Sequence, residues 1–177
     1  MEIVNMNTLS SRQLREAAAI LNQVLPIWCP TMEAAEEALR ECLSPGNTQL
    51  AAVENREVIG FGGILTPTYD GRVYELHPLA VRADKQKQGV GKLIITALED
   101  EARARGVLTL WLGSDDETDE TSLSNCDLYD DLPSKLRDFR PGIHPSDFYL
   151  KMGYKIIGVM PDANGRGRPD IYMAKAL

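Results

Sequence analysis

The sequence predicts a mixed α/β fold (α+β in organisation), with a mostly antiparallel sheet flanked by helices. Three β-rich runs, Thr48 to Glu54, Val58 to Leu65 and Val73 to Val81, follow one another with only turns between them, which is the pattern of an antiparallel meander. Helical spacing is confined to segments before and after that meander, so helices cover the sheet rather than interleave with every strand. Strands and helices do not alternate throughout, as a doubly wound nucleotide fold requires. The chain has 177 residues and shows no internal repeat or low-complexity linker, so residues 1–177 are read as a single domain.

Ile3 and Val4 mark a short first strand. Ser10 with Gln13 is a capping-box signature, and it opens a helix to about Leu25 with Leu14, Ala17, Ala18 and Leu21 as its apolar stripe. Pro26 and Pro30 break the chain, Thr31 caps a second helix through Leu43, and Ser44-Pro45-Gly46 ends it. Within the meander, the turns are Glu54-Asn55-Arg56 and Tyr69-Asp70-Gly71. The strongest helix follows: Val90, Leu93, Ile94, Ala97, Leu98 and Ala102 recur at helical spacing, with Gly106 where a C-terminal cap belongs. Val107 to Leu112 reads as a buried strand, Pro145 to Met152 as a short helix, and Tyr154 to Val159 and Asp170 to Lys175 as closing strands.

Charge and composition narrow the function. A net charge of −7 argues against a nucleic-acid partner, which needs a basic surface. No run approaches the roughly 20 apolar residues of a membrane helix, and the N-terminus lacks the basic start and apolar core of a signal peptide. Cys29, Cys42 and Cys126 are odd in number and widely spaced, so neither a disulfide framework nor a metal site is expected. A reduced, cytoplasmic protein is the expectation. Asp115, Asp116, Glu117, Asp119, Glu120, Asp127, Asp130 and Asp131 share a segment without Lys or Arg, which is ordinarily a solvated acidic loop.

Gln86-Lys87-Gln88-Gly89-Val90-Gly91 joins a strand to the start of the strongest helix. Two glycines let backbone close round an anion, and the free amides and positive dipole end of the first helical turn would face it. Lys85, Lys87 and Lys92 add positive charge nearby. A pyrophosphate suits such a loop. A Walker loop is excluded, because Gln86 stands where its first Gly belongs and Leu93 replaces the magnesium-binding Ser or Thr. A dinucleotide fingerprint would need Gly at position 94, which is Ile94.

Just upstream, Tyr74-Glu75-Leu76-His77-Pro78-Leu79-Ala80-Val81 places Glu75, His77 and Leu79 on one strand face by the two-residue period. A carboxylate and an imidazole there suit removal of a proton from an ammonium nucleophile. Pro78 cannot donate to a neighbouring strand, so it marks an edge, a bulge or a separation of strands. A separation would leave the Leu79 amide free to polarise a carbonyl. Taken singly, Glu75 could equally be a surface ion-pair residue and His77 a core histidine.

Val81 through Gly91 resembles the signature of the GNAT acetyltransferase superfamily, a strand followed by a [Gln/Arg]-x-x-Gly-x-[Gly/Ala] loop. The resemblance implies acetyl-CoA as cosubstrate and no metal. The backbone of Leu79, Ala80 and Val81 would hold the pantetheine arm, and Gln86, Gln88, Gly89, Val90, Gly91 and Lys92 would enclose the phosphates. From Tyr74 onward the chain is similar to the aminoglycoside 6′-N-acetyltransferases, chiefly the chromosomal type of Gram-positive bacteria. The segments that carry this are Trp111 to Asp116, Ser122 to Tyr129, His144 to Lys155, Pro161 to Gly165 and Pro169 to Lys175. The first 70 residues match only in architecture. That likeness implies transfer of acetyl to the 6′-amine of an aminoglycoside, and hence antibiotic resistance. Glu75 would be base or amine anchor with His77 assisting, the Leu79 amide would polarise the thioester, and Tyr149 would protonate the departing thiolate. Asp115 and Asp116 would hold substrate ammonium groups. Trp28 would stack on a sugar ring, unless it packs in the core. Related enzymes are often homodimers, so a homodimer is expected. Another amine as acceptor, or a non-catalytic sensor of coenzyme A, are the competing expectations.

Overall fold

The computed structural model describes residues 1–65 and 67–177. In chain order it forms β1 (Glu2–Asn5), α1 (Ser11–Val24), α2 (Met32–Cys42), β2 (Thr48–Glu54), β3 (Glu57–Ile64), β4 (Val73–Val81), α3 (Val90–Ala104), β5 (Thr109–Asp115), α4 (Leu132–Arg137), α5 (Ser146–Lys151), β6 (Lys155–Met160) and β7 (Asp170–Ala176). This is the mixed, mostly antiparallel α/β architecture that the sequence predicts. It divides into two compact units, one of Met1–Leu110 with Leu177, the other of Trp111–Ala176.

In the first unit β1 to β4 lie side by side in chain order, each antiparallel to the next. The helices begin where their caps dictate. Ser10 accepts from the Gln13 amide while Gln13 reaches back, a complete capping box, and Thr31 accepts from the Ala34 amide at 3.2 Å. The buried stripes of α1 and α2, including Ala17, Leu21, Ala35 and Leu39, meet Ala51, Val53, Phe61 and Ala80 on one face of the sheet. Phe61 is fully buried there, where truncation to Ala costs about 3–5 kcal/mol. The other face carries α3. A Cβ at Gly60 would stand 3.2 Å from Val90, and one at Gly62 would stand 3.1 Å from Ile94. Those two glycines let α3 lie close against β3.

The last helical turn of α3 explains one difference from expectation. Gly106 (φ +75°) donates to Arg103, and Val107 donates back to Ala102, a Schellman closure that keeps Val107 out of extended structure. The strand therefore begins at Thr109 and runs to Asp115, displaced from the expected 107–112.

In the second unit β7 lies between β5 and β6, and β6 and β7 are antiparallel. The sequence reading omits α4. That helix sits at the end of the acidic segment, where Asp131 caps it from a left-handed conformation (φ 44°) by accepting from the Ser134 amide. A six-residue helix with Pro in its first turn carries too little periodicity to stand out. No helix among the described residues is long and apolar enough to cross a membrane.

Candidate active site

The loop between β4 and α3 is held by its own side chains. Gln86 donates to the Val81 carbonyl at 3.1 Å and Gln88 to the Asp84 carbonyl at 2.7 Å. Arg82 spans Asp84 and Glu57, which fixes the loop to the start of β3. Gly89 then enters α3 at φ +87°, with nothing within 4 Å of where a Cβ would stand and no side chain capping the helix. Leu93 is the residue whose amide returns to Gly89, so the amides of Val90, Gly91 and Lys92 begin the helix without such a partner. That is an anion cradle at the positive end of a 15-residue helix.

Two details differ from the expected roles. Lys85 is paired with Glu54 and so is not mobile charge beside the loop; Lys87 and Lys92 are exposed and can serve. Gln86 and Gln88 use their side chains to brace the loop, so they can meet an anion through their backbone, and the Val90 side chain is buried in the core, so Val90 likewise offers only its backbone.

A register shift in β4 changes how its residues face. Gly62 lies opposite Leu79 and Ile64 opposite Leu76, so His77 and Pro78 together oppose the single residue Gly63. This is a β-bulge, one of the features Pro78 marks. Across it Leu76 and Leu79 share the α3 face, and a Cβ on Gly62 would be 3.1 Å from both Leu79 Cδ1 and Ile94. Glu75 and His77 project to the other face, where the His77 ring meets Trp28 edge-on at 5.0 Å. The expectation that Glu75, His77 and Leu79 share one face is thus corrected: the extra residue of the bulge reverses the alternation between His77 and Leu79. Trp28 is 41% exposed, so it is not a core residue but an open aromatic surface beside His77. Glu75 is partly buried, and burial raises its carboxyl above the ordinary glutamate range. A carboxylate so placed holds a proton more readily than a surface one.

In the second unit Asp115 and Asp116 part company. Asp116 is fully buried and accepts from the amides of Glu120 and Thr121, both at 2.8 Å, and from the Ser124 hydroxyl. Burial alone would raise its carboxyl, but these donors outweigh it and hold the group below the ordinary range. Asp116 therefore ties the following loop together, and its expected role of holding substrate ammonium is not available to it. Asp115 is exposed, with Oδ1 accepting from Asn164 at 2.7 Å. Its surroundings are acidic: Tyr172 is raised by burial and by the carboxylates of Asp170 and Asp115, and Glu117 by burial and Asp115. Trp111 meets Tyr172 edge-on at 5.9 Å, so aromatic faces adjoin these carboxylates. Elsewhere the acidic segment is partly neutralised from its flanks, by Arg168 at Asp119 and Lys135 at Asp130.

Tyr149 lies in α5 between Phe148 and Tyr154, with ring centroids at 5.3 and 5.8 Å. Burial pushes its phenol well up, so it stays protonated and is able to donate a hydrogen bond. His144, Asn164 and Gln49 lie in segments that the sequence singles out, but the sequence gives none of them a role of its own. Histidine and asparagine in the segment His144 to Gly165 carry no spacing rule that would single them out, and Gln49 looks like an exposed strand residue. Among the described residues no group of three or more His, Cys, Asp or Glu is arranged to hold a metal ion.

Residues 14–132, more than half of the chain and part of each unit, match the acetyltransferase (GNAT) family model. No curated protein sequence matches the chain. Among solved structures it is similar to an aminoglycoside 6′-N-acetyltransferase complexed with coenzyme A, at 35% identity and TM-score 0.93, over 99% of this chain and 97% of that one. The aminoglycoside 6′-N-acetyltransferase of Enterococcus faecium is similar at 35% identity and TM-score 0.90, with the same coverage. An aminoglycoside 6′-acetyltransferase type Ii follows at 31% identity and TM-score 0.77, over 99% and 97% of the two chains. On the residues matched and on this full-length likeness, the chain belongs to the GNAT family of acetyltransferases.

Proposed function

We propose that this protein transfers acetyl from acetyl-CoA to the 6′-amino group of aminoglycosides and so confers resistance to them. The observation that carries the reading is the likeness, at 35% identity and nearly full length, to two enzymes with that activity, one of them solved with coenzyme A. The residues support it. The amides at the start of α3 suit the coenzyme pyrophosphate, with Lys87 and Lys92 beside them and the backbone of Leu79, Ala80 and Val81 along the pantetheine. The exposed carboxylate of Asp115, near Asp170 and Glu117, suits a polycationic sugar, which such a field attracts and orients.

The chemistry needs a neutral amine, a polarised thioester and a stabilised thiolate. Glu75 takes a proton from the arriving ammonium, directly or through water, and the freed lone pair attacks the acetyl carbon. The Leu79 amide supports the oxygen that gains charge. When the C–S bond breaks, the electron pair leaves on sulfur, and Tyr149 donates a hydrogen bond to it. Full proton transfer from a phenol whose affinity for its proton is raised would be uphill. The nitrogen sheds a second proton as the amide forms, and of the two protons it loses, one reaches the thiolate through solvent or Glu75 and the other is released to bulk water. His77 and Trp28 border Glu75's face of the sheet, where Trp28 offers a ring to an acceptor sugar. A cytoplasmic homodimer completes the reading.

A thiol-release assay with acetyl-CoA against aminoglycosides with and without a 6′-amine, a polyamine and a lysine peptide tests it. Turnover confined to drugs bearing the 6′-amine is the expected result. Turnover only on the polyamine or peptide would keep acetyl transfer and discard the aminoglycoside, and coenzyme binding without turnover on any amine would favour a sensor.

A further inference from the structure

Gln49 is the second residue of β2 and has 3% of its surface exposed, an unusual burial for a long polar side chain. Its strand partner across the sheet is Gly63. The Gln49 carboxamide lies over that glycine: a Cβ on Gly63 would fall 2.0–2.2 Å from the amide's Nε2, Cδ and Oε1, a separation no real atom could keep. From there Nε2 donates to the His77 carbonyl at 3.3 Å. Gly63 is the single residue that the bulge sets against His77 and Pro78. The glutamine thus reaches across one strand, through the gap left by a missing side chain, to the peptide at which β4 goes out of register.

The structure assigns Gln49 the role of positioning residue for acetyl transfer: it clamps the β4 bulge from which Glu75, His77 and the Leu79 amide take their directions. A bulge leaves local backbone outside the regular ladder, and Pro78 has no amide with which to restore it. The Gln49 amide supplies a donor there. The peptide it holds links His77, on the face of Glu75 and Trp28, to Pro78 and then to the Leu79 amide on the other side of the bulge. A tilt of that peptide moves the Leu79 amide relative to Glu75, and a misplacement on the order of 1 Å costs a reaction about a hundredfold. Gln49 Oε1 is buried without a protein partner among the described residues, so the amide is not kept for its own hydrogen bonding in full. It is held in place by the fit over Gly63 and the bond to His77. The role rests on the acetyl-transfer reading, but the fit between Gln49 and Gly63 can be tested without it.

Gln49→Met keeps length and most of the volume and removes the donor. The expected result is a kcat about ten- to a hundredfold lower, well below the melting temperature, with coenzyme affinity by calorimetry within about twofold of wild type. Unchanged kcat would overturn the assignment. So would equal loss of kcat, coenzyme affinity and melting temperature, the mark of general loosening. Gly63→Ala should expel the Gln49 amide, lowering both kcat and the melting temperature. Adding Gln49→Ala makes room for the new methyl, so the double variant should perform as Gln49→Ala alone in both readouts. A double variant worse than either single, with the two effects adding, would overturn the clamp. If wild type acetylates no amine, the functional reading fails, and the melting-temperature cycle still decides the fit.

Discussion

The His144 imidazole donates through Nε2 to the backbone oxygen of Asp115 across 2.9 Å, while its Nδ1 accepts from the Ser146 amide at 3.3 Å. The second contact requires an unprotonated Nδ1, so the tautomer carrying its proton on Nε2 is the one that satisfies both. His144 is 3% exposed. A buried ring therefore fixes the backbone at the end of β5 from the segment before α5. The Asn164 amide steadies the carboxylate of the same residue at 2.7 Å. Asp115 is held at both backbone and side chain, with its carboxylate toward solvent.

From this follows a contrast between neighbours. Asp115→Asn should raise KM for a cationic acceptor several-fold while leaving kcat and the melting temperature near wild type. Asp116→Ala should instead leave the amides of Glu120 and Thr121 buried without an acceptor, lowering stability by about 1–3 kcal/mol. Steady-state kinetics and thermal melts on the two variants separate these outcomes. An Asp116 variant that melts normally but binds acceptor poorly would return that residue to the binding site.

Glu75→Gln should lower kcat by about a hundredfold or more, the range of general-base catalysis, and should also raise the melting temperature at neutral pH. The sign follows from burial. The folded state raises the Glu75 carboxyl above its unfolded value, so folded protein binds this proton more tightly. Its contribution to stability is fully present below the unfolded pKa and is lost as pH rises through the folded one. At neutral pH the charged carboxylate opposes folding, and the amide removes that charge. A melt repeated at low pH should show the stability advantage of the variant shrinking. The acid limb of kcat/KM in wild type should lie above the ordinary glutamate range and vanish in the variant.

Gly89→Ala should weaken coenzyme binding with little effect on kcat at saturating acetyl-CoA. Space is available for the methyl, but φ +87° is strained for any residue with a Cβ, by about 1–2 kcal/mol. The loop can relieve that strain only by moving the amides that start α3. Calorimetry with coenzyme A checks it, with about a tenfold loss of affinity expected.

Tyr149→Phe should lower kcat without changing KM for acetyl-CoA and without moving the alkaline limb of the pH profile. The ring packing against Phe148 and Tyr154 survives the change, and the phenol, pushed up by burial, does not ionise in the working range. An alkaline limb that disappears in the variant would make Tyr149 a titrating acid.

Much of the fold was legible because its signals are local. Ser10 with Gln13, Thr31, and Gly106 act within a turn of themselves, so the helix ends they set can be read from a few residues. The phosphate loop was legible for the same reason. Features that depend on a partner strand were not. The bulge at His77 and Pro78 shifts the side-chain alternation by one, and a strict two-residue period placed Leu79 on the wrong face. Gln49 is explained only by Gly63 and His77, 14 and 28 residues away in sequence. Asp116 resembles its acidic neighbours in composition and differs from them only in the three donors that the following loop folds round it.

Acetyl transfer to the 6′-amine is decided by a matched pair of aminoglycosides, identical except for an amine or a hydroxyl at the 6′ position. With acetyl-CoA and purified protein, kcat/KM should be high for the amine, negligible for the hydroxyl, and mass spectrometry of the product should place one acetyl group on the 6′ nitrogen. Equal turnover of the two, or acetyl found on another nitrogen, would contradict it.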